Sequence, residues 1–403
     1  MMKRIVILTI IAAIIATAVP LHSITRALRR DDRGTGLLRL DEDFPVAEFV
    51  NGHELSARAA ILVSADTGKA LLEHNADDTL PMASTTKIMT ALVAIENASL
   101  DTNITVTDEA VGVEGSSIYL CEGEMLTLEE LLYALLLESA NDAAVAIAIG
   151  VGGSVESFVQ LMNARACSLG LTQTSFENPH GLDGDKHYTT ARELAVIAKV
   201  ALENEELARI FATPKMYIRF ERDGITTERL LVNHNRMLRL YDGAIGVKTG
   251  YTKKSGRCLV SCARRNGMTF IAVTLDAPDD WQDHAMMLDF GFESYENAEL
   301  CSKLEISEIL SVTGGAEEYV TVCNPDACYA VLPRQRGEIT HRIELKRFEH
   351  APIEKGEVLG RVVFLCEGVV IGQTPLVAAY GISAKDDIRR GFFGWISSLF
   401  NRQ

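Results

Sequence analysis

The chain has 403 residues, 47% of them apolar, which is enough to bury a substantial core and to divide into two domains. A formal charge of −16 leaves no basic excess to neutralise phosphates, and this sets aside a nucleic-acid-binding surface. The eight cysteines are scattered, with no Cys-x-x-Cys pair and no dense framework, so cysteine usage alone does not assign a compartment.

At the N-terminus, Lys3-Arg4 precedes an uncharged run from Ile5 to Leu21 that contains Ala16-Thr-Ala18, a small-residue cleavage pattern. Residues 1–28 are therefore expected to act as a signal peptide or an uncleaved N-terminal anchor, and the rest of the chain to be exported. Residues 29–45 read as a charged linker. Ala59–Val63 and Lys69–Glu73 predict a hairpin around Asp66-Thr-Gly68. A core helix is expected to begin near Ser84, with Met89, Leu92, Val93 and Ile95 on its buried face. Thr127-Leu-Glu-Glu130 is a capping box that opens a helix running through Leu137. The chain then breaks at Glu138–Asn141, and an alanine-rich helix follows from Asp142 to Ile149. Further helices are expected from Ser154 to Leu169 and, capped by Thr190, from Ala191 to Leu202.

Strands follow. Met216–Glu221 and Arg229–Val232 bracket Asp223-Gly224, and Ala244–Thr249, Arg257–Cys262 and Thr269–Leu275 are joined by short turns that favour antiparallel pairing. Ala285–Phe292 reads as a helix packed on that sheet. Short alternating segments between glycine and proline turns predict a small all-β domain over 298–383, after a larger domain over 46–297. Cys323 and Cys328 flank a turn and are the local candidates for a disulfide. In 384–403, Ile388, Phe392, Phe393, Ile396, Leu399 and Phe400 share one helical face while Arg389, Arg390 and Arg402 lie elsewhere. This pattern predicts an amphipathic helix lying in a membrane surface, against the simpler reading of a terminal helix docked on its own protein.

Three short motifs bear chemistry. Ser84-Thr-Thr-Lys87 puts an amine one helical turn from a hydroxyl, and a lysine whose pKa is lowered by burial or by a second cation can take the serine's proton. Ser139-Ala-Asn141 lies between two helices, and Lys248-Thr249-Gly250 ends an apolar strand. Lys254-Ser255-Gly256 and Tyr295-Glu-Asn297 match the last two motifs in looser form. The first falls in a turn and the second out of order. His187, His234 and His284 have no metal-ligand spacing, and no phosphate loop or dinucleotide fingerprint occurs, so neither metal nor cofactor is expected. His180, in the turn Asn178-Pro-His-Gly-Leu182, reads as a structural hydrogen-bonding residue.

Together with Phe176–Leu182, His187–Ala191, Val232–Arg236 and Gly246–Thr252, these motifs make the chain resemble the low-molecular-weight penicillin-binding proteins, the serine D-alanyl-D-alanine carboxypeptidases of the peptidase S11 type. The resemblance implies an α+β fold, with a β-lactamase/transpeptidase-like domain of antiparallel sheet flanked by helices and then a small all-β sandwich-like domain. It implies removal of the terminal D-alanine from peptidoglycan stem peptides ending in D-Ala-D-Ala, and acylation by β-lactams, at the extracytoplasmic face of the bacterial cytoplasmic membrane. Ser84 would be the nucleophile and Lys87 its base, with Ser139 relaying a proton and Asn141 holding Lys87 and a substrate amide. Lys248, Thr249, Gly250 and Tyr251 would bind substrate, and the Ser84 and Tyr251 amides would form the oxyanion hole. Ala140 stands where many relatives carry glycine, and Tyr251 where some carry histidine. The alternatives are a β-lactamase, for which Glu177 is the glutamate to examine, and a catalytically silent peptidoglycan-binding protein.

Overall fold

A computed structural model describes residues 55–222 and 225–385. The expected signal segment, the linker, the Asp223-Gly224 turn and the amphipathic tail lie outside the described residues, apart from Ala384 and Lys385.

The first domain is organised on a five-stranded antiparallel sheet of order β2-β1-β9-β8-β7. Its strands are β1 (Ala59–Ser64), β2 (Ala70–His74), β7 (Ala244–Thr252), β8 (Gly256–Arg265) and β9 (Met268–Leu275). Side chains alternate between faces along a strand. Ala59, Ile61 and Val63 of β1 accordingly enter the main helical core, while Ala60 and Leu62 enter the core on the opposite face. Because both faces are covered, β1 reads as an unbroken apolar run.

The helical face carries α1 (Lys87–Asn97), α2 (Leu128–Leu137), α3 (Asn141–Gly152), α4 (Val155–Ser168) and α5 (Ala191–Glu203). The opposite face packs against α8 (Asp280–Ser294) through Met287, Leu288 and Phe292. A 3₁₀ turn, Ala83–Thr86, leads straight into α1, so Ser84 sits one turn before the helix proper. The capping box on α2 forms as expected: Thr127 Oγ1 accepts from the Glu130 amide while the Glu130 carboxylate accepts from the Thr127 amide.

Other features depart from the sequence reading. α3 runs on through Gly152 and stops at Gly153, whose φ of 81° is easy only for glycine. Asn204, which ends α5, also caps an unexpected helix α6 (Glu205–Phe211) by accepting from the Glu206 and Leu207 amides. The hairpin β5 (Lys215–Arg222) and β6 (Ile225–Val232) belongs to a separate sheet of order β3-β4-β5-β6. Its first two strands, β3 (Asn103–Thr105) and β4 (Met125–Thr127), were too short to be expected. A four-residue helix, α7 (Met237–Leu240), precedes β7.

The second β unit pairs a two-stranded ladder, β10 (Tyr295–Cys301) with β13 (Cys328–Pro333), and a six-stranded sheet. That sheet has the order β14-β16-β17-β12-β11-β15, comprising β11 (Ser307–Thr313), β12 (Tyr319–Cys323), β14 (Ile339–Leu345), β15 (Phe348–His350), β16 (Val358–Cys366) and β17 (Val369–Ala378). Ala298, Ala330 and Leu332 from the ladder meet Leu310, Val320, Val362 and Leu376 from the sheet, which gives a separate sandwich core. The Cys323–Cys328 disulfide does not form: all eight cysteines are free. Pairing of β10 with β13 places Cys328 opposite Cys301 instead.

Helix α2 delivers the Ser139 segment, so its cap bears on the site. Thr127→Ala should lower stability by about 1 kcal/mol. For a domain of this size that is a fall of about 2–4 °C in the melting midpoint, readable by calorimetry.

Candidate active site

Lys87 is the first residue of α1 and is fully buried, whereas Ser84 in the preceding turn keeps part of its surface open. The Lys87 Nζ lies 2.9 Å from Ser84 Oγ, 2.7 Å from Asn141 Oδ1, and within hydrogen-bond reach of the His180 carbonyl. Two of these neighbours are carbonyl oxygens, which only accept. A neutral lysine spends its two N–H bonds on them and leaves its lone pair facing the serine hydroxyl. Burial drives the Lys87 pKa well below the ordinary lysine value, and the nearby Lys248 cation drives it further. Asp142 opposes the shift.

The turn bearing Ser84 is clamped from both sides. Gly250 on β7 approaches so closely that a β-carbon there would stand 2.9 Å from the Ser84 amide nitrogen and 3.1 Å from that of Thr85. On the other side, a β-carbon on Gly181 (φ +93°) would meet the Ala83 carbonyl oxygen at 2.0 Å. Ala83 itself adopts φ 46°, a strained conformation for a residue with a side chain. His187 braces the same turn: its Nδ1 accepts from the Glu177 amide, so Nε2 carries the proton and donates to Thr86 Oγ1 at 2.8 Å. Thr86 Oγ1 in turn donates to the Ala83 carbonyl at 2.7 Å. Burial pushes His187 down to about 4 and His180 down to about 3, so both imidazoles are neutral near neutral pH.

The middle motif lies in the break between α2 and α3. Ser139 is 5% exposed and is held at φ 59°, in the left-handed region. Its neighbours are tied down. The Glu138 carboxylate accepts from the Val232 amide and lies 3.2 Å from His234 Nε2, while the Asn141 amide donates to the Ser116 carbonyl at 2.7 Å. The Asn141 side-chain amide donates to the Glu114 carbonyl at 2.5 Å, which turns Oδ1 toward Lys87.

Strand β7 is the last strand of its sheet, paired with β8 along one edge only. Lys248 is buried and donates to the Thr249 carbonyl at 2.9 Å, and burial lowers its pKa to about 7. Thr249 is half-buried, while the Tyr251 side chain is 66% exposed at the rim. Ser84, Lys87, Asn141 and the Lys248–Tyr251 strand thus converge, with Ser139 two residues from Asn141. Lys254-Ser255-Gly256 closes the β7–β8 turn, and Tyr295–Asn297 lies on β10. The Glu177 carboxylate accepts from the Lys186 amide, within its own loop.

The Glu114–Leu120 loop, Asp142 and the His180 carbonyl are parts of the site that no sequence motif marks. The loop has no regular structure to signal it, and a backbone carbonyl carries no signature in the residue type. Asp142, next to a motif residue and opening an otherwise apolar helix, was the one visible clue.

A serine hydroxyl beside a buried lysine whose pKa is lowered, next to an open strand edge, is the equipment of an acyl-transferring serine hydrolase. Comparison with known proteins narrows that class. A family model described as D-alanyl-D-alanine carboxypeptidase, peptidase S11, matches residues 46–279, and one described as penicillin-binding protein 5, C-terminal domain, matches residues 295–383. The D-alanyl-D-alanine carboxypeptidase DacF of Bacillus subtilis (strain 168) is 34% identical over 347 residues, covering 84% of this chain and 87% of the relative. DacC of Escherichia coli (strain K12), which bears the same description, is 31% identical over 369 residues, covering 87% and 89%. Penicillin binding protein 5 from Haemophilus influenzae superposes with a TM-score of 0.66 at 26% identity, covering 83% of this chain and 99% of that structure. The chain belongs to the peptidase S11 family of D-alanyl-D-alanine carboxypeptidases.

Proposed function

We propose that this D-alanyl-D-alanine carboxypeptidase removes the terminal D-alanine from peptidoglycan stem peptides through an acyl-enzyme on Ser84. The observation that carries the assignment is the Lys87 environment: a buried amine 2.9 Å from the Ser84 hydroxyl, with its other bonds committed to carbonyl oxygens.

Lys87 Nζ takes the Ser84 proton as Oγ attacks the carbonyl carbon between the two D-alanines. The unpaired edge of β7 accepts the substrate as an added extended strand. Charge on the tetrahedral oxygen is met by the Ser84 and Tyr251 amides, and losing one such donor typically costs about 2.7–4 kcal/mol of barrier. The C–N bond then breaks as Ser139 relays the proton held by Lys87 to the departing amine, which leaves Lys87 neutral again. Water then cleaves the ester, its hydroxyl going to the acyl carbon and its proton, through Lys87, to Ser84. Lys248 and Thr249 hold the terminal carboxylate, and Asn141 holds a substrate amide as well as Lys87. A β-lactam enters the same path, but its amide leaving group stays tethered after ring opening, so the ester persists. Residues 46–297 carry this chemistry and 298–383 form the accessory β domain. The chain acts outside the cytoplasm, held at a membrane surface by its N-terminal segment or by the amphipathic sequence of 384–403. Among the described residues no single helix is long and apolar enough to cross a membrane.

Ser84→Ala should leave the fold intact and abolish covalent labelling by a fluorescent penicillin, and persistent labelling would refute the nucleophile. The kcat/KM for a peptide ending in D-Ala-D-Ala should be bell-shaped with pH, since this ratio reports the free enzyme's ionisations. Its acid limb appears as Lys87 gains a proton and stops acting as base. Its alkaline limb appears near pH 7 as Lys248 loses the charge that draws the carboxylate. A profile flat from pH 5 to 9 would contradict the two roles. Deletion of 386–403 should release the signal-cleaved protein from membranes in a sedimentation assay, and unchanged sedimentation would count against the anchor.

A further inference from the structure

Asp142 is fully buried at the start of α3, and among the described residues it forms no ion pair within contact distance. Its carboxylate is nevertheless saturated. Oδ2 accepts from Ser117 Oγ at 2.6 Å, from the Ile118 amide at 3.2 Å and from the Leu120 amide at 3.0 Å. Oδ1 accepts from the Ala143 amide at 2.9 Å, within the first turn of the helix. One carboxylate therefore binds residues 117–120 to the helix that begins with Asn141.

The same loop holds Asn141 in return. The Ser116 carbonyl accepts from its backbone amide and the Glu114 carbonyl from its side-chain nitrogen. The second bond decides which end of the side-chain amide faces Lys87. With Oδ1 toward the lysine, the neutral amine must donate to it, and the lone pair stays on Ser84. With the amide reversed, its N–H would occupy that lone pair and the base would be lost.

We propose that Asp142 is a positioning residue of this reaction: it fastens the 117–120 segment against α3, and the fastened loop fixes the Asn141 amide with its oxygen toward Lys87. This inference rests on the assignment of Ser84 and Lys87 above and deepens it. The buried anion has a second effect, because it opposes the depression of the Lys87 pKa caused by burial and by Lys248. The titratable groups around Lys87 are Lys248 on β7, Asp142 on α3, and His180 and His187 on the loop before α5, while Arg229 on β6 also feels Asp142.

The test uses the full chain with Asp142→Asn and Ser117→Ala, and benzylpenicillin as the acylating probe. The second-order acylation rate constant is measured from pH 5 to 9, with thermal melts and hydrogen exchange at the Ile118 and Leu120 amides. Asp142→Asn should acylate about tenfold more slowly or worse, and both amides should exchange faster. Its acid limb should move to lower pH, because without the anion Lys87 holds its proton less tightly. Ser117→Ala should acylate about threefold more slowly with the limb unmoved. A folded Asp142→Asn protein with the wild-type rate and profile overturns the proposal. So does a slowed one whose acid limb stays in place while Ser117→Ala acts normally, since that describes only a lost contact with the Ala143 amide in the first turn of α3. Should Asp142→Asn fail to fold, Ser117→Ala decides, and a wild-type rate there overturns the proposal. Failure of the underlying assignment looks different: Ser84→Ala would still be labelled, or the wild-type chain would not be acylated at all, and the inference would fall with it.

Discussion

Everything at this site depends on keeping one amine dry. In water Lys87 would be a cation and could not take a proton from a hydroxyl. Placing it as the first residue of α1, under a core that fills the space between five helices and a sheet, removes the solvent that would stabilise its charge. Three oxygens surround the nitrogen, and only the serine hydroxyl among them can donate as well as accept. Desolvation lowers the lysine's affinity for a proton, and the hydrogen-bond pattern aims what remains. Neither alone is sufficient, since a dry lysine pointing elsewhere is inert and an aimed but hydrated one stays charged.

That demand explains features that look costly in isolation. Ala83 and Ser139 both hold left-handed backbone angles, at about 1–3 kcal/mol each. Both lie where the chain must turn sharply to bring a motif to the lysine. The surrounding bonds over-determine them: Thr86 and His187 on one turn, and Glu138, Val232 and Ser116 around the other. Lys248 is buried as well, which leaves its charge poised near neutrality, where one proton decides whether the cleft carries a net cation.

The motifs were legible because their chemistry depends on residue types at local spacing. A hydroxyl and an amine three positions apart on a helix must be neighbours, and a capping box signals itself by its own two side chains. The long alternating or apolar strands β1, β8 and β9 were equally plain, since periodicity reports burial. Features defined by distant partners were not. The three-residue strands β3 and β4 carry too few residues to show a period, and only pairing with each other and with β5 makes them strands. α6 was hidden because Asn204 both ends α5 and begins the next helix. The placement of Cys328 opposite Cys301 on β13 and β10, both thiols free, could not be read from spacing, which pointed to the nearer Cys323.

The two glycines that grip the Ser84 turn have a consequence for how this site can vary. Position 181 has no room for any larger residue beside the Ala83 carbonyl, and position 250 has almost none beside the Ser84 nitrogen. Substitution at either flank cannot reposition the Ser84 hydroxyl and keep its surroundings, because the enlarged side chain would displace the backbone of the turn that carries it. Changes that retune what the cleft accepts are confined to the solvent-facing rim, at residues such as Tyr251, whose exposed side chain can be exchanged without moving that backbone.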